Sequence, residues 1–271
     1  KLSTVRIKPE LAGKGRHFDL VHANCSIPAN VDYARESALC TTLIKGCVRV
    51  RTVEHLLSAL EGVGVDNCRI EVVGSEPGDS DFEVPVLDGS ASKWVEEIER
   101  VGLIEAVDKE GNARERLAPY LDTPVQVWKK DSFVAAFPSP NVRVSYGIDF
   151  PQVSAIGCQW FSLTSLDESS YSEEVASSRT FCIYEEVEKM RKAGLIKGGS
   201  LDNAIVCSSS KGWLNPPLRF EDEPCRHKVL DLIGDVSLFA RHGNQGLPVA
   251  HIVAFKGGHS IHADFVRCLD S

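Results

Sequence analysis

The segment from His227 to Leu238 constrains the fold most, because it has the pattern of a long helix and also carries chemically active residues. In such a helix His227 and Asp231 lie four positions apart and therefore share one face. A neutral imidazole and a carboxylate placed in this way can bind the same divalent cation, such as Zn²⁺. Two protein ligands are too few for a metal site, so the fold must bring a further ligand to this helix from elsewhere in the chain.

Glu54 and His55 offer that further ligand. The residues from Thr52 to Leu60 have an apolar stripe that predicts a helix, with Thr52 as its N-cap. With His55 added, three protein ligands leave one coordination position for water, as in catalytic zinc sites, and Glu54 would take a proton from that water. A lone histidine is more often an ordinary residue, and a His–Asp pair at this spacing also occurs as a plain hydrogen-bonded pair. Only the combination predicts a zinc hydrolase.

Four further residues could take part in such chemistry. His259 follows two glycines and could donate to a leaving group, while Asp235 could hold His259 as a cation. Thr180 could donate to an oxyanion, and Lys228 could pair with a phosphate. Each of the four also has an ordinary interpretation as a turn, helix or surface residue. The remaining histidines have no spacing that matches a site, and we predict structural or solvent-exposed roles for His17, His22, His242, His251 and His262.

The composition excludes several classes of function. The net charge of −8 argues against broad nucleic-acid binding, which needs clustered Lys and Arg. No apolar run is long enough to cross a membrane, and residues 1–10 show neither a secretory signal nor a transit peptide. The nine cysteines include no C-x-x-C pair, which favours reduced and mostly buried thiols over disulfides or a thiolate zinc site.

Strand and helix patterns form two blocks, which the charged segment 108–116 separates. The first block has strand patterns at 3–8, 16–22, 67–73 and 84–87 and helix patterns at 52–60 and 91–101, where Val101 belongs to the apolar stripe. The second has strand patterns at 124–128, 133–137, 142–150, 204–207 and 249–256, helix patterns at 172–178, 184–193 and 227–238, and a turn at 257–259. We therefore predict an α+β fold with domains 1–107 and 117–271 and a site between them.

Several segments, taken in order, resemble the UDP-3-O-acyl-N-acetylglucosamine deacetylases, the zinc amidases of the lipid A pathway. They are TVEHLLSALEGVGVDN (52–67), PVLDGS (85–90), RTF (179–181), GGS (198–200), RFEDE (219–223), RHKVLDLIGD (226–235) and GH (258–259). The resemblance implies two duplicated β-α-α-β sandwich domains whose helix layers face each other, with the active site between them. The opening strand and the Leu-His-x-Gly loop of that family, which would lie upstream of Lys1, have no match in this sequence.

The resemblance assigns roles residue by residue. It implies that His55, His227 and Asp231 bind zinc, that Glu54 is the general base, and that His259, tuned by Asp235, is the cationic acid or electrostatic partner. Thr180 matches the hydroxyl that holds the oxyanion, and Lys228 matches a residue near the substrate diphosphate. The other substrate contacts that it implies are Phe181 and Ser200 in the matched motifs, Asp149 and Phe150 near the nucleotide, and Ile183, Val187, Ile196, Ala204 and Val206 along an acyl passage. Those last five lie in a β-α-β insert over 181–207, and core packing is their ordinary interpretation.

The same resemblance sets the expected substrate, location and alternatives. We expect a monomer that binds a nucleotide-glycolipid, with Zn²⁺ as cofactor and Fe²⁺ as an alternative ion in the cell. The acidic connection 74–82 and the nine cysteines favour a plant member and hence the mitochondrion, with the cytoplasm of a Gram-negative bacterium as the alternative. A zinc peptidase is disfavoured because H-E-x-x-H is absent. A non-catalytic nucleotide-lipid binding module of the same fold is the second alternative, although it would need neither Glu54 nor an open metal position.

Overall fold

Strands outnumber helices in the first half of the chain. The structure is a computed structural model that describes residues 3–37, 39–74, 78–194, 196 and 198–269. Within these residues the strands of the first half are β1 (Thr4–Pro9), β2 (Arg16–Leu20), β3 (Cys25–Pro28), β4 (Ala34–Arg35), β5 (Thr42–Lys45), β6 (Val48–Arg51), β7 (Cys68–Val73) and β8 (Asp81–Glu83). The helices are α1 (Glu54–Gly62) and α2 (Ser92–Val101).

These strands form two sheets. One has the order β1-β7-β2-β3, in which β2 pairs with β7 in parallel and the other pairs are antiparallel. The other has the order β4-β5-β6-β8, in which β6 pairs with β8 in parallel. Every residue of α1 is buried, including the charged Glu54 and Glu61. A nine-residue helix that is buried on all sides must contact other elements around its whole circumference, so α1 lies in the interior.

The second half contains one large sheet, one small sheet and four helices within the described residues. Its strands are β9 (Val125–Lys129), β10 (Ser132–Pro138), β11 (Arg143–Phe150), β12 (Gly157–Leu163), β13 (Phe181–Ile183), β14 (Ile205–Ser208), β15 (Gly212–Trp213) and β16 (Ala250–Phe255). Its helices are α3 (Glu168–Glu174), α4 (Tyr184–Lys192), α5 (Glu223–Val236) and α6 (His259–Leu269). The large sheet has the order β12-β11-β16-β10-β9, and the small sheet, β13-β14-β15, belongs to the insert.

Helices α1 and α5 pack directly against each other and join the two halves. Gly234 of α5 faces the start of α1, where a Cβ atom on this glycine would lie 2.1 Å from the carbonyl oxygen of Glu54. A second connection is the buried carboxylate of Glu61, which accepts hydrogen bonds from the backbone N–H groups of Gly246 and Leu247 at 3.0 and 2.8 Å. The absent side chain at Gly234 therefore lets the first turn of α1 approach the last turn of α5.

The prediction of mixed helices and sheets is confirmed, and some details are wrong. Thr52 does not cap α1, because its backbone has a positive φ of 58° and Val53 takes the N-cap position. The strand predicted at 84–87 lies earlier, at β8, where Phe82 is the buried residue. Val101 is 75% exposed at the end of α2 rather than part of its buried stripe. The acidic connection 74–82 is described only in part, since residues 75–77 lie outside the described ranges.

Three elements of the second half have no counterpart among the sequence predictions, namely β12, the short strand β15 and α6. Strand β12 pairs with β11 along its full length and completes the large sheet. Helix α6 begins at His259, where we predicted only a turn, so the two glycines before His259 lead directly into a helix. None of the helices in the described part of the chain has an apolar stretch that could cross a bilayer.

Candidate metal centre

His55 of α1 and the pair His227 and Asp231 of α5 converge at the contact between the two helices. His227 Nε2 lies 3.4 Å and His55 Nε2 lies 3.7 Å from Asp231 Oδ1. The two imidazole rings meet edge to face with their centroids 5.0 Å apart. All three side chains are buried, and one ligand atom from each lies within 4.8 Å of the other two. The spacing of four residues on α5 and the first turn of α1 thus bring the three predicted ligands together.

The chemistry of this cluster, which we call the HHD cluster (His55, His227 and Asp231), fits a bound cation. Asp231 Oδ1 is buried and has no hydrogen-bond partner among the described residues. His227 Nδ1 lies 3.0 Å from the carbonyl oxygen of Ser178, so this nitrogen carries the hydrogen and Nε2 keeps its lone pair toward the cluster. A buried carboxylate oxygen facing two imidazole nitrogens without a donor is costly unless a cation lies between them.

The protonation states of the HHD cluster are those of metal ligands. Burial and the neighbouring His227 lower the pKa of His55 to about 3, and burial also lowers the pKa of His227. Burial alone would raise the pKa of Asp231, but His227 and Lys228 hold it well below its ordinary value. Both imidazoles are therefore neutral and the aspartate is ionised at neutral pH, and these are the forms that bind divalent metals.

Glu54 is adjacent to His55 in the first turn of α1, and the residue is only 2% exposed. The backbone N–H of Thr41 donates to Glu54 Oε2 at 2.9 Å, which fixes the carboxylate. Burial raises the pKa of Glu54 to about 7, with His259 opposing the shift and Asp235 adding to it. A carboxylate with a pKa near neutrality can accept and release protons at physiological pH, which suits a general base.

Asp235, one turn beyond Asp231 on α5, holds His259. The distance from His259 Nδ1 to Asp235 Oδ2 is 2.8 Å, and the hydroxyl of Thr41 donates to Asp235 Oδ1. Burial alone would lower the pKa of His259, but the Asp235 carboxylate raises it to about 10. Burial alone would raise the pKa of Asp235, but His259 and His262 lower it to about 2. The structure therefore pairs an imidazolium with a carboxylate, as the sequence predicted for these two residues.

Thr41 and His262 were not among the predicted site residues. Thr41 is the residue before β5 and contacts both Glu54 and Asp235. His262 Nδ1 lies 2.8 Å from Asp235 Oδ2. His262, for which we predicted a structural or solvent-exposed role, is buried, because the first turn of α6 carries it back to α5. His259 and His262 are three residues apart and therefore share one face of a helix. This spacing could have indicated that both belong to the site, but α6 was not predicted.

The residues predicted near the phosphates and the nucleotide form a second group beside the HHD cluster. Lys228 Nζ donates to Asp231 Oδ2 at 2.9 Å and lies 6.0 Å from the ring centroid of Phe181. Burial alone would lower the pKa of Lys228, but Asp231 raises it. Phe181 meets Phe150 edge to face with centroids 5.6 Å apart, and Asp149 lies beside Phe150 at the end of β11. A cation and two aromatic rings thus lie next to the cluster.

Thr180 lies on the segment that connects the HHD cluster with the insert. Its N–H donates to the carbonyl oxygen of Gly89 at 2.7 Å, and its own carbonyl accepts from the N–H of Ile205 at 2.8 Å. The preceding Arg179 forms a 2.8 Å ion pair with the buried Glu223 at the start of α5. Because the carbonyl of Ser178 also accepts from His227, hydrogen bonds hold the backbone before Thr180 as well as at Thr180 itself.

The five apolar residues predicted for the insert do not share one face of its sheet. In the parallel pairing of β13 with β14, Ile183 lies opposite Cys207, whereas Val206 lies opposite Cys182. Since successive side chains of a strand point to opposite faces, Ile183 and Val206 lie on different faces. Val187 on α4 is half-buried, as are Ala204 before β14 and Ile196, while Ser200 is exposed.

Comparison with known proteins gives one consistent result. Residues 1–271 match the family described as LpxC: UDP-3-O-acyl N-acetylglycosamine deacetylase. A protein of Arabidopsis thaliana named probable UDP-3-O-acyl-N-acetylglucosamine deacetylase 1, mitochondrial, is 59% identical over 269 residues, which cover 99% of this chain and 82% of that protein. Proteins named UDP-3-O-acyl-N-acetylglucosamine deacetylase from Trichormus variabilis and Thermosynechococcus vestitus are 48% and 44% identical, each over 97% of this chain, and are themselves covered to 89% and 85%.

These relatives confirm the family that the sequence resembles. Their names support the prediction of a hydrolase that acts on an amide bond, and the name of the Arabidopsis protein supports the mitochondrial prediction. With the match over the whole length of the sequence, this chain belongs to the UDP-3-O-acyl N-acetylglycosamine deacetylase family.

Proposed function

We propose that this protein hydrolyses the acetamide of UDP-3-O-acyl-N-acetylglucosamine to release acetate and the free amine, as a step of lipid A biosynthesis. One observation carries the proposal. His55, His227 and Asp231 converge from two helices on one point, where Asp231 Oδ1 has no partner among the described residues, and Glu54 is adjacent. The names of the relatives supply the substrate.

The ion we propose is Zn²⁺, held by the three residues of the HHD cluster. Two imidazoles and one carboxylate form a ligand set that zinc accepts, and Fe²⁺ is the alternative in the cell because this set is not selective for zinc. When bound, the cation polarises the amide carbonyl and lowers the pKa of a water molecule. Lys228, which donates to the second oxygen of Asp231, helps to orient this ligand toward the cation.

Glu54, Thr180 and His259 carry out the proton and charge steps of the proposed reaction. Glu54 accepts a proton from the attacking water as the oxygen forms its bond to the acetyl carbon. The hydroxyl of Thr180 donates to the oxyanion that develops on the carbonyl oxygen. The bond from carbon to nitrogen then breaks, the amine takes up a proton from His259 or Glu54, and acetate leaves. His259 suits this role because Asp235 keeps it cationic at neutral pH.

The substrate has a diphosphate, a nucleotide with its sugar, and an acyl chain, and we propose different contacts for each part. Lys228 binds the diphosphate, because its ammonium group stays charged beside Asp231. Phe150 and Phe181 supply aromatic surface for the nucleotide and sugar, and Asp149 can accept hydrogen bonds from the nucleoside. The acyl chain follows the insert, whose proposed contacts are Ile183, Val187, Ile196, Ser200, Ala204 and Val206. Since Ile183 and Val206 lie on different faces of β13 and β14, the chain would have to pass around an edge of this small sheet.

We further propose that the two halves, 1–107 and 117–271, are duplicated β-α-α-β sandwich domains, with 181–207 inserted in the second. The packing of α1 on α5, each the ligand-bearing helix of its half, supports this arrangement. The isolated protein is expected to be a monomer that binds no nucleic acid. Its expected location is the mitochondrion, as in the names of the Arabidopsis relatives.

The experiment that tests the proposed function measures acetate released from UDP-3-O-acyl-N-acetylglucosamine. Wild-type protein loaded with zinc should release acetate, and chelation should stop release until zinc is restored. Glu54→Gln should lower the rate by roughly 10²–10⁴-fold while zinc stays bound, because only the proton acceptor is lost. Glu188→Gln, an identical change at a residue whose side chain is 84% exposed, is the matched control.

Three outcomes would contradict parts of this proposal. No acetate from the zinc-loaded wild type would refute the deacetylase and favour the binding module. Full activity after complete removal of the metal would refute the role of the HHD cluster. Unchanged turnover in Glu54→Gln would remove Glu54 as the base.

A further inference from the structure

Asp235 accepts hydrogen bonds from two imidazoles at a single carboxylate oxygen. His259 Nδ1 and His262 Nδ1 both lie 2.8 Å from Asp235 Oδ2, and the hydroxyl of Thr41 donates to Oδ1. The proposed reaction uses His259 and Asp235 but gives His262 no task. A buried polar side chain needs hydrogen-bond partners, so the groups that bond to His262 indicate its role.

The second ring nitrogen of His262 continues the hydrogen-bond chain to Tyr146 of β11. His262 Nε2 lies 3.1 Å from the Tyr146 hydroxyl oxygen, and both side chains are fully buried. Burial lowers the pKa of His262 and raises that of Tyr146, so the imidazole is neutral and the phenol keeps its proton. The ionised Asp235 can only accept, so Nδ1 of His262 carries the hydrogen and Nε2 accepts from Tyr146.

The Tyr146 hydroxyl oxygen also lies against the backbone of Gly257, in the loop that leads to His259. A Cβ atom at Gly257 would lie 2.6 Å from this oxygen and 3.0 Å from His262 Nε2, so only glycine permits the approach. A Cβ atom at the next residue, Gly258, would meet no heavy atom of the described residues within 4 Å. The loop therefore contacts Tyr146 and His262 at Gly257.

We propose that His262 and Tyr146 are positioning residues that fix the Asp235 carboxylate and the Gly257 loop, and through them the orientation of His259. The proposal rests on the proposed function, because His259 is the group whose placement it explains. A carboxylate with few donors can rotate about its Cβ–Cγ bond, whereas donors on both oxygens fix its plane. Tyr146 in turn fixes the imidazole of His262, and both residues act on the substrate only through His259.

Imidazole nitrogen NMR of the full chain tests the direction of these hydrogen bonds without any turnover. The ¹⁵N chemical shift distinguishes a ring nitrogen that carries hydrogen from one that carries a lone pair. We expect hydrogen on Nδ1 of His262 and a lone pair on Nε2. In Tyr146→Phe the Nε2 shift should change, because its donor is lost, while the hydrogen on Nδ1 stays. Hydrogen on Nε2 in the wild type would overturn the proposal, because Nδ1 could not then donate to Asp235.

Two conservative variants of His262 separate positioning from simple space filling. Asparagine places a side-chain nitrogen as many bonds from Cα as Nδ1, so His262→Asn can still donate to Asp235. Glutamine reaches the position of Nε2, so His262→Gln keeps contact with Tyr146 but not with Asp235. We expect His262→Gln to lower kcat roughly tenfold with little change in KM, because a hydrogen bond to a charged group is lost. We expect His262→Asn to retain most of kcat, and equal kcat values in the two variants would overturn the proposal.

A glycine pair provides a second test that leaves His262 and Tyr146 intact. Neither Gly257 nor Gly258 has a positive φ, so alanine suits both backbones. Gly257→Ala should lower kcat because its methyl group displaces the Tyr146 hydroxyl, whereas Gly258→Ala should resemble the wild type. Equal kcat in both variants would contradict the proposal. A wild-type protein that releases no acetate would instead refute the proposed function, and the NMR result would still decide the hydrogen-bond chain.

Discussion

Replacing Gly234 by alanine perturbs the point at which α5 meets the first turn of α1. The new Cβ atom would lie 2.1 Å from the carbonyl oxygen of Glu54, 2.8 Å from its carbonyl carbon and 3.1 Å from its Cα. These are backbone atoms that no side-chain rotation can move. Relief of the contact requires that α1 move by roughly 1 Å, and a shift of this size at a catalytic group can cost about 10²-fold in rate.

The expected effects on stability and on activity differ in size. Alanine gains about 1 kcal/mol over glycine in a helix interior, while overpacking costs about 1–3 kcal/mol, so the free energy of unfolding should fall by about 0–2 kcal/mol. Acetate release and zinc affinity should fall much further, because Glu54 and His55 both move with the start of α1. Steady-state kinetics, zinc competition with a chelator and urea unfolding on the same preparation measure the three quantities.

Gly62→Ala is the matched control for Gly234→Ala. Its Cβ atom would lie 2.3 Å from the ring of Tyr171, a buried side chain whose hydroxyl donates to Ser58. We expect a loss of stability of about 1–3 kcal/mol from overpacking, with zinc affinity close to that of the wild type. Wild-type activity in Gly234→Ala, or an equal loss of zinc affinity in both variants, would refute the argument that the α1–α5 contact sets the site.

Three further predictions follow from charges at the site and in the core. In a profile of kcat/KM against pH, the acid limb should report the pKa of Glu54, which lies at or below about 7 because a bound cation lowers it. The alkaline limb should report the pKa of His259, near 10, above which the imidazole loses its charge. A value of kcat/KM that still rises above pH 10 would contradict the cationic role of His259. Lys228→Gln should act mainly on KM, since the diphosphate loses a charged partner. The factor by which KM rises should be about ten times the factor by which kcat falls. Arg16→Met should lower the free energy of unfolding by about 3–5 kcal/mol in urea, because it leaves Glu61 buried without its 2.6 Å ion pair, and a loss below about 1 kcal/mol would contradict this.

The ligand-bearing helices could be predicted from the sequence because their signals are local. The apolar stripe after Thr52 and the spacing of His227 and Asp231 both depend on the helical period, which a short window of sequence contains. That His55 joins them from another helix could be inferred only from chemistry, since two ligands are too few, and from the resemblance to a known family. The structure adds the physical means, which is the missing side chain at Gly234.

The surroundings of Asp235 could not be predicted because they depend on contacts between distant segments. Thr41 lies 194 residues from Asp235 and acts through one hydroxyl and one backbone N–H, which no periodic pattern reveals. His262 joins the site only because α6 starts at His259, and the two glycines before that helix suggested a turn. The exposed Val101 shows the opposite error, since an apolar residue at the end of a helical stripe need not be covered.

The measurement that tests the central claim most directly is anomalous diffraction at the zinc edge from crystals of the zinc-loaded protein. The described residues contain two candidate groups, the HHD cluster and the group of Asp235, His259 and His262. We predict a peak about 2.0–2.2 Å from the nearest nitrogen or oxygen of His55, His227 and Asp231. A fully loaded crystal with its peak only at Asp235, His259 and His262, or with none at the HHD cluster, would contradict the account.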